Sequence, residues 1–487
     1  MVVEGVVEEK EGEEVVGTYM QMVEGEVVRA ARRRVADNPE DAGEDNEGEG
    51  ELIPELVEGL QEDIEVENPD LQDFSNNLQS NEVPIPDVEP GEDFVELPPF
   101  ETPGGFNDRK GHYHRNYVGQ RNPKTPLDYY KLFIDDEIIE TFVTNTNVYG
   151  RRYVKGWLPG NDSTKTNDTN PTEMKAFIAV ILYSGIVQYP SRREMFDKSS
   201  KGSAFAKSLF TFVRFNMLVS AWHYIDVTDY HEMDEAEQAE FRSARRFFHV
   251  DELAALLTER FRSAFRAGQQ MDLDEQGVPW KGRHRCRCYN PAKPFKWHFK
   301  IFSLNDSSTG YCVNFYLYQG KSEDRPAGMS ATTYPFWKLF ISLPELFRNK
   351  NHLVVTDNWF TSLFAIRMIL ESGNHFLGTF RVNRSGFPAI AKFAKSGPNK
   401  RDRGDLAQFE TTDNHRVYAV SWMDNQPVHM LSSLPTKCMQ VKRSVQIPNT
   451  NIWNTIQIPC ATIIPLYNEG MGGIEYQISS DFHGART

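Results

Sequence analysis

The 487-residue chain lacks three features whose absence narrows its class. No apolar run reaches the roughly 18 residues that a membrane-spanning helix requires, so no membrane partner is expected. The start, Met1-Val2-Val3-Glu4, carries acid where a secretory leader carries base, which predicts an intracellular protein. Cysteine is scarce: Cys286, Cys288, Cys312, Cys438 and Cys460 make an odd number with no CxxC pair. That argues against a disulfide framework and against a tetrahedral zinc site, and predicts reduced thiols. On a strand Cys286 and Cys288 would share a face, a spacing open to a metal but equally served by core packing.

The net charge of -16 is unevenly spread. Residues 1–100 hold 30 acids and 5 bases, whereas beyond them 48 bases outnumber 39 acids. Nucleic acid, which the average charge would exclude, is therefore admissible as a partner for the rest of the chain. Residues 1–105, rich in Val-Glu pairs and proline and without a sustained period, are predicted to be a mostly disordered acidic tail. Its one basic cluster, Arg29-Ala30-Ala31-Arg32-Arg33-Arg34, reads either as a nuclear address or as a solvated run. The remaining length predicts two or three folded units, at roughly 100 to 200 residues each.

Order is predicted to begin near Thr125-Pro126. Pro126, then Tyr130, Phe133, Ile134, Ile138, Phe142 and Val143, predict one amphipathic helix ending near Tyr149-Gly150. A second starts at Pro171, with an apolar run over 176–187 that suits a buried core helix. Residues 205–224 and 251–265 continue the helical period, and the charged stretch 230–245 reads as an exposed loop or a short solvated helix. From Met271 the period changes to two. Lys281, Arg283, Arg285 and Arg287 alternate as they would on one face of a strand. Such a face suits a solvated edge, where charge blocks aggregation, and it suits a polyanion alongside. Residues 296–302 and 310–317 predict a hairpin around Asn305-Asp306-Ser307-Ser308, and 334–347 a helix.

Leu353-Val354-Val355 then leads into Thr356-Asp357-Asn358-Trp359-Phe360-Thr361-Ser362, ahead of a helical pattern at Leu363, Ile366, Ile369 and Leu370. An acid at the exit of a buried strand, just before a helix, is where open α/β sheets place their chemistry, although Asp357 is also placed to cap that helix. Three antiparallel strands, a helix, a strand and a helix is the order of an RNase H-like sheet.

Six segments in succession resemble the motifs of piggyBac-type transposases: Met271 to Glu275, Trp280-Lys281-Gly282-Arg283, Asn290 to Trp297, the Asp357 block, Gly378-Thr379-Phe380-Arg381-Val382-Asn383-Arg384, and Tyr467-Asn468-Glu469-Gly470-Met471-Gly472-Gly473-Ile474-Glu475. The resemblance implies a cut-and-paste DNA transposase with an α/β, RNase H-like catalytic core. The implied units are a helical DNA-binding and dimerisation domain at 125–268, the first part of the core at 269–383, a β-rich insertion domain at 384–464, and a return to the core at 465–487. It implies a DDE triad of Asp274, Asp357 and Glu475 holding two Mg2+ or Mn2+ ions. Asp272, on the same strand face as Asp274, competes for the first position. The expected DNA contacts are Lys281, Arg283, Arg285, Arg287, Lys293, Lys296, Arg381 and Arg384; Lys392, Lys395, Lys400, Arg401 and Arg403 of the insertion either meet phosphates or are simply solvated. Transposon terminal repeats, a TTAA-type target, a homodimer and a nuclear location follow from the same resemblance.

The chain departs from the family pattern in carrying Glu475 where the family has Asp and Ile478 where a further acid often stands. It ends at Thr487, whereas the family pattern continues with helices and a cysteine-rich zinc domain. Two expectations result: a metal-dependent transposase, or a catalytically inactive, domesticated DNA-binding or chromatin-associated protein.

Overall fold

A computed structural model describes residues 81–82, 112–113, 125–157, 168–291, 293, 295–320, 333–341, 347, 350–384, 391–410, 417–446 and 453–471. The expectation for the acidic tail, residues 1–105, falls outside these apart from the two-residue strand Asn81–Glu82 (β1), as does Glu475; a second two-residue strand, His112–Tyr113 (β2), lies past the tail.

Among the described residues nine helices follow β1 and β2: Pro126–Phe133 (α1), Asp136–Tyr153 (α2), Pro171–Ile186 (α3), Arg192–Met195 (α4), Ala204–Leu209 (α5), Phe212–Ala221 (α6), Thr228–Glu232 (α7), Glu235–Ala244 (α8) and Asp251–Ala264 (α9). Two of the predicted helices are each broken in two. Asp135 accepts the N–H of Ile138 at 3.1 Å and starts α2 afresh, so the helix expected from Pro126 stops at Phe133. Thr211 does the same for α6, accepting from Arg214 N at 3.2 Å while Phe210 is extended. A side-chain cap satisfies a donor that a continuous helix would satisfy internally, so a local Asp or Thr can outweigh apolar periodicity. The charged stretch contains a solvated helix, α8, which has no buried residue and starts with an Asp234–Glu237 capping box.

The strands follow as Phe265–Arg266 (β3), Gln270–Pro279 (β4), Cys288–Tyr289 (β5), Trp297–Asp306 (β6), Cys312–Leu317 (β7), Leu353–Thr356 (β8), His375–Thr379 (β9), Leu406–Glu410 (β10), Tyr418–Met423 (β11), Pro427–Ser432 (β12), Cys438–Gln446 (β13) and Trp453–Ala461 (β14). Helices Thr333–Ile341 (α10), Leu363–Glu371 (α11) and Ile463–Gly470 (α12) are interspersed. The strand predicted through 281–287 is not formed. Trp280 is buried there, its N–H bonded to Trp297 O at 3.0 Å, and the chain loops back to β5. The alternation survives without the strand, since Lys281, Arg283 and Arg285 are exposed and Cys286 is buried.

Ten strands make one mixed sheet in the order β1-β10-β11-β12-β9-β8-β4-β6-β5, with β7 also on β6. β4, β6 and β7 are an antiparallel meander, and β8 and β9 add parallel to β4 and to each other. β12 pairs antiparallel with β9, so strands from the predicted insertion extend the same sheet, while β13 and β14 form a separate hairpin. Successive residues of β8 bury on opposite faces, as a central strand requires. Val354 joins a cluster with Ala365, Ile366 and Ile369 of α11 and with helical residues such as Phe261, whereas Leu353 and Val355 join Ile458, Ile463 and Leu466 of β14 and α12. The sheet is thus covered on both faces at its central strand β8.

Candidate active site

β4 and β8 run parallel with Leu273 opposite Thr356, so Asp274 and Asp357 are the next residues along adjacent strands. Both are half-buried. Asp274 is pushed up to about 6, chiefly by burial and further by the charges of Asp357 and Glu275, against the Glu275 N–H that its Oδ1 accepts at 2.7 Å. Burial also raises Asp357, opposed by the N–H groups of Trp359 and Phe360, which its Oδ1 accepts at 2.9 and 3.3 Å.

The turn that presents Asp357 is fixed from several sides. Its carbonyl oxygen accepts the Thr361 N–H at 3.1 Å and the Thr361 hydroxyl at 2.7 Å, and the Thr361 and Thr356 hydroxyls pair at 2.9 Å. Gly378 on β9 lies against these two hydroxyls so closely that a Cβ would overlap Thr361 Oγ1 and come within 2.7 Å of Thr356 Oγ1. Ser362, not Asp357, caps α11, accepting Ala365 N at 3.2 Å. Asp357 is thereby left for another task. Among the described residues the Oδ2 of Asp274 and the Oδ2 of Asp357 make no hydrogen bond. Two acids that repel each other, each with a spare oxygen, fit a divalent cation, because Mg2+ takes one or two carboxylates and completes its shell with water and phosphate oxygens. Among the described residues no cluster of three or more His, Cys, Asp or Glu side chains is poised around a metal, and the third expected ligand, Glu475, lies outside them.

Glu275 is committed to lysines rather than left open for a metal. Burial acts to raise it, but Lys300 at 2.7 Å and Lys293 at 2.8 Å outweigh that and hold it low. Asp272 is fully buried, its carboxyl far above the usual range because of burial and the Asp274 charge, with only a long 3.5 Å contact from Asn305. Its Oδ1 is buried with no hydrogen-bond partner among the described residues. Tyr467 on α12 was missed as a site residue. Its hydroxyl is 3.4 Å from Thr379 Oγ1, and its phenol is pushed up to about 12, chiefly by burial and further by the charges of Asp357 and Asp274. The Tyr467 motif was in view, but its contact with β9 joins residues far apart in sequence.

The predicted DNA contacts divide by what they touch. Lys281, Arg283, Arg285 and Lys296 are exposed, and Arg287 lies 3.9 Å over the Trp297 ring while donating to Gly282 O at 2.9 Å. Lys293 is held by Glu275. Arg381 reaches Asn358 Oδ1 at 2.8 Å, and its charge favours ionised Asp357. Arg384 donates to the carbonyls of Thr361 at 2.7 Å and Trp359 at 3.2 Å, bracing the Asp357 turn. In the 391–403 region Lys395 and Lys400 are exposed, Lys392 is half-buried, Arg401 lies 5.1 Å over Phe393, and Arg403 pairs with Asp424 at 2.6 Å.

A family model described as Transposase IS4 matches residues 125–480, taking in both acids and the helices before them. The chain belongs to the piggyBac-type transposase family. It is 26% identical to the human PiggyBac transposable element-derived protein 3 over 362 residues, 72% of this chain and 55% of that protein. To the human PiggyBac transposable element-derived protein 5 it is 23% identical over 267 residues, 53% of this chain and 48% of that one. The chain therefore spans about half the length of these curated relatives. Its fold is similar to that of a piggyBac transposase solved by cryo-EM in a synaptic complex with hairpin DNA, with a TM-score of 0.57, 25% identity, and coverage of 73% of this chain and 67% of that one.

Proposed function

We propose that this piggyBac-family chain carries an RNase H-like catalytic core that cleaves DNA and transfers the freed strand end. The observation that carries the proposal is the emergence of Asp274 and Asp357 side by side, each one residue past the paired Leu273 and Thr356 of two adjacent parallel strands, and each with one carboxylate oxygen that makes no hydrogen bond among the described residues. The order of a three-stranded meander followed by two parallel strands supports the RNase H-like reading.

Asp274 and Asp357, with Glu475 as third member of the DDE set, would hold two divalent ions, Mg2+ or Mn2+. When bound, such ions stabilise the attacking and leaving oxygens of an in-line phosphodiester displacement. The residues of this chain supply the rest. The two N–H groups at Asp357 Oδ1 fix the carboxylate's rotation, Arg384 and Thr361 hold its turn, and Lys293 and Lys300 keep Glu275 neutralised beside the site. The neutral Tyr467 hydroxyl donates toward the acids or toward a phosphate oxygen between them. Carried over from the family, the DNA is a transposon terminal repeat with a TTAA-type target, handled by a homodimer in the nucleus.

The test is Mg2+-dependent nicking of a terminal-repeat duplex by wild type and by Asp357→Ala. The proposal expects nicking by wild type alone, and equal cleavage by both removes Asp357 from the mechanism. A second reading, a domesticated DNA-binding protein without cleavage, is favoured by the exposed cations at 281–285, which serve binding whatever the acids do. DNA binding by wild type without nicking would establish it.

A further inference from the structure

We propose that Phe295, in the turn between β5 and β6, is the ring on which an unpaired DNA base stacks. The inference rests on the reading of DNA as substrate given above. Three aromatic rings are exposed at this sheet edge: Phe295 at 60%, Trp297 at 38% and Tyr289 at 36%. Trp297 is already engaged, with the Arg287 guanidinium 3.9 Å from its ring centre and Tyr289 at 4.6 Å. Phe295 extends beyond them and has no ring partner among the described residues. Lys296 is the next residue and is exposed, and Arg287 lies over the neighbouring Trp297, neither of them in an ion pair among the described residues, while Glu275 is taken up by Lys293 and Lys300; Lys281, Arg283 and Arg285 are exposed on the loop that leads into β5. Excess positive charge selects a polyanion, and an exposed apolar ring among those cations adds what a phosphate backbone cannot use, a face for stacking. Bases inside a duplex have both faces occupied, so only an unpaired or extruded base offers one.

The turn is also tied to the acids. The Lys293 to Glu275 bond, 2.8 Å long, anchors it to the residue after Asp274.

The experiment uses the full chain in EDTA, so that binding is measured without cleavage. Affinity is measured for a duplex and for the same duplex carrying a bulge that contains 2-aminopurine, whose fluorescence reports stacking. Wild type is expected to prefer the bulged DNA and to quench the probe. Phe295→Ala is expected to lose roughly 5- to 100-fold in affinity for the bulge, with the duplex unaffected, the range that removal of one base-stacking ring gives. Phe295→Trp is expected to keep both affinity and quenching. Equal bulge binding by Phe295→Ala and wild type overturns the proposal, as does a wild type that shows no preference or binds no DNA. A preserved preference in a chain that fails to nick DNA would count against the metal-site reading alone.

Discussion

Gly378→Ala is the substitution that tests most sharply how the Asp357 turn is built. The new methyl would overlap Thr361 Oγ1 and lie 2.7 Å from Thr356 Oγ1 and 2.9 Å from the Phe376 ring, all fully buried groups on paired strands or the turn itself. Overpacking a filled core costs about 1–3 kcal/mol, and separating the two threonine hydroxyls adds the loss of one buried hydrogen bond, about 1 kcal/mol. The expected destabilisation is therefore about 2–4 kcal/mol, read from urea unfolding followed by tryptophan fluorescence. Trp359 is a useful reporter because it stacks on Phe302 at 5.2 Å beside the turn. In a Thr361→Ala background the overlapping oxygen is gone, and the cost of Gly378→Ala should shrink by at least about 1 kcal/mol, the coupling expected of touching side chains. If Gly378→Ala unfolds within about 0.5 kcal/mol of wild type, or costs the same in both backgrounds, the clamp does not hold the turn in the way described.

Asp272→Asn should stabilise the protein by about 1–3 kcal/mol at neutral pH, because it replaces a buried carboxylate that has an unpartnered oxygen by an amide able to donate to the equally unpartnered Asn305 Oδ1. The folded-state pKa of Asp272 is raised, so its contribution to stability falls as pH rises above the unfolded value, and the advantage of Asn should widen with pH over that window. His352, fully buried and bonded to Gly268 O at 2.8 Å, is held down to about 4, chiefly by burial. The unfolded chain therefore binds the proton first, and stability that is complete above about pH 6.5 is lost as pH falls toward 4. His352→Gln should show a smaller loss over that interval in denaturation measured at stepped pH. Asp135→Ala removes the cap that starts α2 together with an ion pair to Arg260 at 2.8 Å, and a cost of about 1–2 kcal/mol is expected in the same unfolding assay.

The parts of the fold readable from the sequence were those set by near neighbours. The buried strand Leu353–Thr356 and the helix behind it follow from one apolar run and one helical period, and Asp357 stood out because it sits at their junction. The breaks at Asp135 and Thr211 were also local, but the apolar pattern on both sides concealed them. The alternating bases at 281–287 imitate a strand because Trp280 and Cys286 bury beneath exposed cations, and periodicity alone does not distinguish a loop pinned in that way from a ladder. What was not legible depends on distant pairing. The neutralisation of Glu275 requires Lys300 on the facing strand, where Gly277 is opposite Lys300. The approach of Tyr467 to the acids requires α12 to cross β4 and β9, with Gly470 against Val355. The continuity of the sheet through β12 and β9 joins residues some fifty apart, Met430 with Thr379.

The central claim is that Asp274 and Asp357 act as one site for a divalent cation. Its most direct measurement is Mn2+ binding to the full chain, followed by electron paramagnetic resonance, in wild type, Asp274→Asn and Asp357→Asn. Bound Mn2+ in wild type and its loss in each single variant is the result predicted here, with Glu275→Gln retaining binding because that carboxylate is already committed to two lysines. Mn2+ bound equally by wild type and both variants would contradict it.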